Sequence, residues 1–149
     1  MNRPTPRESG VGALVQACRE LYAAIDRIDH VAATTVGVSR NDLRALNVLE
    51  RGPVRAGDLA KALSLTTGAV TTLIGRLEAK GLARRTRDPD DGRVVLIAPT
   101  EAMFEQLAPL YRGVATNLAE VAGRYTAEEL DAAVEHINAV TQAYVDATE

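Results

Sequence analysis

Tryptophan is absent from this 149-residue chain, phenylalanine occurs once, and aromatics make up only 3% of it. A core of stacked rings is thereby excluded. The interior has to be assembled from Leu, Val, Ile and many Ala, and small Ala side chains favour closely packed helices. A single cysteine, Cys18, rules out an internal disulfide framework and fits a reducing cytoplasm. His30, His136 and Cys18 are scattered, so neither a structural zinc site nor any other cofactor is expected. No run approaches the ~18 uninterrupted apolar residues of a membrane span. The opening Met1–Gly10 holds Arg3, Pro4, Pro6, Arg7 and Glu8 without the apolar stretch of a secretory signal. Residues 1–9 therefore read as a flexible tail, and the chain as cytoplasmic with no membrane partner. There is no nucleophile elbow, phosphate-cradling loop or metal-ligand cluster, so an enzyme is not expected.

What is present is an ordinary globular hydrophobic fraction of 46%, in a length suited to one domain or one domain with helical extensions. The formal net charge of -3 speaks at first against a polyanionic partner. Its distribution reverses that. Between Arg40 and Arg93 stand eleven basic and seven acidic residues, a surplus of four; the rest of the chain carries six against thirteen, a deficit of seven. A basic middle between acidic arms is the footprint of a local site for a polyanion.

Apolar periodicity predicts a first helix from about Glu8 to Ala33, with Val11, Leu14, Val15, Cys18, Leu21, Tyr22, Ile25 and Ile28 on one stripe. Thr34–Val38 is read as its break. Ser39 with Asp42 three positions on predicts a capped second helix through Leu43, Leu46 and Leu49, ended by Gly52-Pro53. A short helix around Leu59, Ala60 and Leu63 follows. After Ser64-Leu65 a further helix, capped by Thr66 and closed by Gly81, turns Val70, Leu73, Ile74 and Leu77 inward. Two such helices form a helix-turn-helix pair. Leu82–Thr86 and Arg93–Ala98 then read as strands around an Asp88-Pro89-Asp90-Asp91-Gly92 tip. Thr100 is expected to cap a long helix kinked at Pro109. A capping box at Thr126 and Glu129 opens the last helix, carrying Leu130, Val134, Ile137, Val140 and Tyr144.

A helix-turn-helix alone is a weak signal; a basic hairpin directly after it makes a winged helix. In that arrangement the second helix enters a major groove and the hairpin reaches the backbone or the adjacent minor groove. The outward face of the second helix offers Thr67, Gly68, Thr71, Thr72, Gly75 and Arg76, with Thr66 at its cap. Three threonines can simply keep a surface polar, but a base-reading face must be polar anyway, and base contact by Thr71 and Thr72 is the preferred reading. Arg84, Arg85, Arg87 and Arg93 crowd the hairpin. A charge run by itself is usually a solvated face; beside a helix-turn-helix, phosphate contact is the better reading. Arg93 at the hairpin base can enter a minor groove, with Asp91 holding its fork.

The chain resembles the MarR-type regulators at Leu59-Ala60-Lys61-Ala62-Leu63, Thr66-Thr67-Gly68-Ala69-Val70-Thr71 and Arg76-Leu77-Glu78-Ala79-Lys80-Gly81-Leu82. The likeness is strongest over Arg87-Asp88-Pro89-Asp90-Asp91-Gly92-Arg93, and the order of elements matches from about residue 10 to 147. The resemblance implies a mainly α fold with a small β-hairpin wing: a winged helix-turn-helix core (39–99) flanked by an N-terminal dimerisation helix (10–38) and C-terminal dimerisation helices (100–149). It further implies a homodimer on a palindromic operator in double-stranded DNA, acting most often as a repressor released by a small aromatic effector. The family's wing arginine falls on Arg93 and its orienting acid on Asp91. An effector pocket is expected from Tyr22, Ile25, Leu46 and Tyr111. Two departures stand out: Gly92 occupies a position where a second Arg or another polar residue is common, and Ala98-Pro99-Thr100 replaces a Leu-Thr ending. One branch of the family senses peroxides through an N-terminal cysteine; Cys18 lies about a turn later, on the apolar stripe, and reads as a buried structural thiol. His30 and His136 read as structural or surface residues. The alternative to a regulator is a dimeric, winged-helix-like adaptor that has lost DNA binding.

Overall fold

Helix α1 spans Pro6–Val36 in the computed structural model, which describes residues 6–147 of the chain. Residues 1–5 of the expected tail lie outside the described residues, whereas residues 6–9 already belong to α1. Proline suits a first helical turn, where its missing N–H would have no partner anyway. At the other end the break expected at Thr34 comes three residues later. The Thr34 hydroxyl donates back to the His30 carbonyl (2.8 Å), and the helix stops only at Gly37, which takes φ +69°. There the Val38 N–H reaches the Ala33 carbonyl at 2.9 Å and the Gly37 N–H the Thr34 carbonyl at 3.2 Å, a Schellman cap.

Helix α2 (Arg40–Leu49) carries the expected capping box: the Asp42 N–H donates to Ser39 Oγ (3.1 Å) and the Ser39 N–H to Asp42 Oδ2 (3.2 Å). Arg40 fastens α2 to α1 through the side chain and carbonyl of Asp26. Helix α3 (Ala56–Leu63) ends at Ser64, which adopts a left-handed φ of 55°. Helix α4 (Thr67–Ala79) starts at the Thr66 cap and closes at Gly81 (φ +69°), where the Leu82 N–H meets the Leu77 carbonyl at 2.9 Å.

Three antiparallel strands follow the order β1-β3-β2: β1 (Val54–Arg55), β2 (Ala83–Arg87) and β3 (Val95–Pro99). The register pairs Arg85 with Ile97, which on its other side pairs with Val54. Both hairpin strands begin one or two residues later than the sequence suggests. Leu82 is consumed by the α4 cap and buried, and the Val94 N–H closes the tip turn onto the Asp91 carbonyl (2.9 Å). The two-residue β1 was not anticipated; it is too short to show alternation.

The chain divides into two units, residues 1–110 and 111–149. In the first, Leu43, Leu46 and Leu49 of α2, Leu59 of α3, and Leu73, Ile74 and Leu77 of α4 make a closed aliphatic core with Leu82, Ile97 and Met103. Each such side chain contributes about 1.5–3 kcal/mol by leaving water. Helix α5 (Glu101–Ala122) begins at the Thr100 cap, whose Oγ1 accepts from the Met103 N–H (3.3 Å), and stays helical across Pro109. The second unit holds the distal part of α5 and α6 (Ala127–Asp146). The latter opens on the expected capping box of Thr126 and Glu129, the Thr126 N–H donating to Glu129 Oε2 at 2.8 Å. No residue of α6 is buried, and large apolar side chains stand in solvent on the helical arms: Tyr22 is 69% exposed, Leu118 62% and Ile137 57%.

Candidate nucleic-acid interface

The inward stripe of α4 (Val70, Leu73, Ile74, Leu77) is almost fully buried. Helical geometry then forces Thr67, Gly68, Thr71, Thr72, Gly75 and Arg76 outward, and all six are exposed. Thr66 secures the near end by accepting the Ala69 N–H at 3.3 Å. The first turn contains no acidic residue, so its unpaired N–H groups and positive dipole end present a field that favours an anion. The Thr71 and Thr72 hydroxyls donate to the carbonyls one turn back, Thr67 O at 2.9 Å and Gly68 O at 3.1 Å. Beyond the adjoining residues and the backbone of α4 itself, a Cβ at Gly68 or Gly75 would meet no atom of the chain within 4 Å. Glycine in a helix interior costs about 0.5–1 kcal/mol relative to alanine, and nothing in the packing of the chain requires it here.

Arg76, read from the sequence as a groove contact, is committed elsewhere. Its Nη2 donates to Asp42 Oδ1 at 2.6 Å and its Nε to Asp42 Oδ2 at 3.3 Å. Asp42 is only 3% exposed, and a buried carboxylate demands such a partner. Burial pushes the Asp42 carboxyl upward, but hydrogen bonds from Arg76 and Ser39 and the Arg76 charge outweigh it and hold it below the usual carboxylate range. The outcome is a bridge from α2 to α4 that sets the position of α4.

On β2, consecutive side chains take opposite faces. Arg85 turns to α4, where the Glu78 carboxylate accepts both its guanidinium and its backbone N–H (3.2 Å). The side chain of its neighbour Arg84 is exposed and makes no hydrogen bond or ion pair among the described residues. At the tip, Asp88 Oδ1 accepts the N–H groups of Asp90 (2.9 Å) and Asp91 (3.3 Å), and Arg87 Nη1 donates to the Gly92 carbonyl (2.9 Å). Asp91 Oδ1 receives both the Arg93 N–H (3.1 Å) and its Nε (3.2 Å), the contact expected of an orienting acid. The rest of Arg93 stands clear, with its side chain 93% exposed.

The residues assigned to an effector pocket are not alike in access. Tyr22 and Ile25 are exposed on α1, Tyr111 of the second unit is half-buried, and Leu46 is completely buried in the α2 core and offers no surface to a ligand. Cys18 is half-buried rather than buried, because the α1 stripe it shares is largely exposed. His30 and His136 are on the surface. Among the described residues no three His, Cys, Asp or Glu side chains are grouped to hold a metal, and no helix is long and apolar enough to cross a membrane. Sequence reasoning missed Glu78 and the second role of Asp42. Neither signals itself before the strand register and the helix crossing are known.

A family model of the MarR family matches residues 36–94, which covers α2 to the wing tip. The chain is 36% identical over 118 residues to an uncharacterized HTH-type transcriptional regulator, YcgE of Bacillus subtilis strain 168, spanning 78% of this chain and 77% of that protein. Its fold is similar to that of a MarR family protein from Bacillus stearothermophilus, with a TM-score of 0.69, 24% identity, and coverage of 97% of this chain and 99% of the other. It is also similar to the transcriptional regulator BldR from Sulfolobus solfataricus, with a TM-score of 0.59, 22% identity, and coverage of 94% and 99%.

Proposed function

Since the chain belongs to the MarR family of transcriptional regulators, we propose that it is a DNA-binding repressor that grips a palindromic operator as a homodimer. The family is one of regulators, not enzymes. Each protomer lays α4 in the major groove through Thr66, Thr67, Gly68, Thr71 and Thr72. The wing follows the backbone with Arg84 and Arg87 and reaches the minor groove with Arg93, which Asp91 steadies. The observation that carries this reading is the make-up of the α4 surface: two glycines with nothing of the chain over them, short hydroxyl side chains between them, and no acidic residue in the first turn. Residues 39–99 form the DNA-binding region, with 10–38 and 100–149 as its dimerisation arms. The exposed apolar faces of α1 and α6 support the pairing. Interlocked arms would bury more than the ~2,000 Å² typical of an obligate pair. The regulator works at DNA in the cytoplasm.

Mobility shift of genomic fragments, with light scattering on the same sample, tests the proposal. A retarded fragment and the mass of two chains are the expected results. A dimer that retards no fragment favours the adaptor alternative, and a monomer at micromolar concentration removes the operator geometry. Release by a small aromatic anion rests on the family likeness together with the exposure of Tyr22 and Ile25. A panel of salicylate-like compounds that leaves DNA affinity unchanged would remove it.

A further inference from the structure

Resting on the reading of α4 as the groove helix, we propose that the base pairs facing Thr71 and Thr72 are A·T pairs, recognised by hydroxyl acceptors and methyl groups. A threonine hydroxyl has one proton and two lone pairs. In the free chain both hydroxyls donate inward: Thr71 to the Thr67 carbonyl at 2.9 Å, and Thr72 to the Gly68 carbonyl at 3.1 Å. While these bonds are kept, what the side chains hold out from the helix is acceptor lone pairs and a methyl group, with no donor.

In the major groove, guanine shows only acceptors (N7 and O6), and so does thymine apart from its methyl; the amino donors are adenine N6 and cytosine N4. An acceptor-only hydroxyl is repelled by guanine O6 and attracted by an amino group. A·T alone combines an amino donor with a C5-methyl, and the threonine combines an acceptor with a methyl, so the two surfaces match at both points. The usual guanine reader on a recognition helix, a free arginine, is missing from this stretch. Arg76 is the charged residue of the face, and its Nε and Nη2 are both fastened to a carboxylate on α2. A guanidinium anchored there cannot slide toward the bases under Thr71 and Thr72. Gly68 and Gly75, where a side chain would point away from the rest of the chain into open space, let the backbone come near enough for short side chains to reach base edges.

The experiment selects the best site for the full-length protein from a pool of random duplexes, then alters single groups on both sides of the contact. At the positions facing Thr71 and Thr72, adenine is replaced by purine, which lacks the amino group, and thymine by uracil, which lacks the methyl. The protein variants are Thr71→Val and Thr72→Val, which keep the methyl and lose the acceptor, and Thr71→Ser and Thr72→Ser, which do the reverse. Removing the amino group should weaken the parent roughly five- to tenfold and leave the Val variants indifferent. Removing the thymine methyl should weaken the parent several-fold and leave the Ser variants indifferent. Selected sites with guanine at these positions, or Val variants that keep the parental response to purine, overturn the inference while DNA binding stands. Failure to bind any duplex overturns the groove reading itself and this inference with it. Because the Ser variants are the milder change, a folding defect confined to the Val pair leaves the methyl arm decisive.

Discussion

Asp42 and Arg76, 34 residues apart in the chain, are joined by two hydrogen bonds that tie the N-terminal turn of α2 to the outer face of α4. The same carboxylate closes the α2 capping box with Ser39. One buried oxygen pair thus caps one helix and sets the position of another. Breaking it leaves either an open helix end or a buried charge without a partner, and a group so placed is costly to remove.

Asp42→Ala is expected to lower the unfolding free energy by about 2–3 kcal/mol, the sum of a lost cap and a lost ion pair whose cation can still return to water. Urea unfolding at fixed protein concentration measures it; a loss under about 0.5 kcal/mol, the range of an ordinary surface substitution, would contradict the bridge. Because the folded carboxyl lies below its ordinary range, the contribution is full above that range and fades as pH falls through about 4 toward the folded value. The parent should accordingly lose stability on acidification more steeply than Asp42→Asn.

Glu78→Gln should strengthen binding to operator and scrambled duplex alike. In the free protein the Glu78 carboxylate holds the Arg85 guanidinium. A phosphate has to compete for it. Neutralising Glu78 releases the arginine, so affinity should rise and the salt slope steepen by up to about one unit per protomer. For the same reason Arg84→Ala should flatten the parental slope more than Arg85→Ala. A salt titration in which Glu78→Gln matches the parent would show that Arg85 does not reach the backbone.

Much of the fold was legible because its signals are local. Ser39 with Asp42 and Thr126 with Glu129 are capping boxes within four residues, and both are present. Gly81 marks the end of α4 by a preference that only its own backbone feels. Gly37 sends the same signal, but Thr34–Val38 as a whole reads as the break, whereas the Thr34 hydroxyl bonds back to the His30 carbonyl and the helix runs on to the glycine. The site was harder to read. Exposure of Thr71 and Thr72 follows from helical period alone, whereas the partners of Arg76 and Arg85 depend on helix crossing and strand register, which no spacing in the sequence encodes. Leu46 belongs to the buried core, and an apolar residue near a hinge reads alike as core and as pocket wall.

Gly75→Ala separates stability from recognition. The added methyl meets nothing beyond the helix's own backbone and the adjoining residues, and alanine is the better helix former, so the variant should gain about 0.5–1 kcal/mol in unfolding free energy. It should also bind its operator less tightly, since the methyl stands where a base edge has to approach. A variant both more stable and undiminished in DNA affinity would refute close approach at this turn.

Ile137→Asp tests the pairing of the arms. In an isolated chain this residue is 57% exposed, and a polar replacement should change stability by no more than about 0.5 kcal/mol. Buried in a dimer interface, the same carboxylate has no partner, and light scattering at micromolar concentration should show the mass of one chain. An unchanged dimer would place the contact elsewhere on the arms.

Thr100 gives the wing an anchorage with a mechanical meaning. Its hydroxyl donates to the Gly81 carbonyl (2.6 Å) and its N–H to the Leu82 carbonyl (3.3 Å), so the glycine that closes α4, both feet of the hairpin and the cap of α5 meet at one rivet. A rivet at that junction holds the gauge between α4 and the wing. A torque arriving along the start of α5 would then be delivered together to α4 and the wing, the two elements proposed to face DNA. In the dimer proposed above, regulation of such a piece would act on its heading relative to the second copy, since two hydrogen bonds already tie α4 to the wing within each copy.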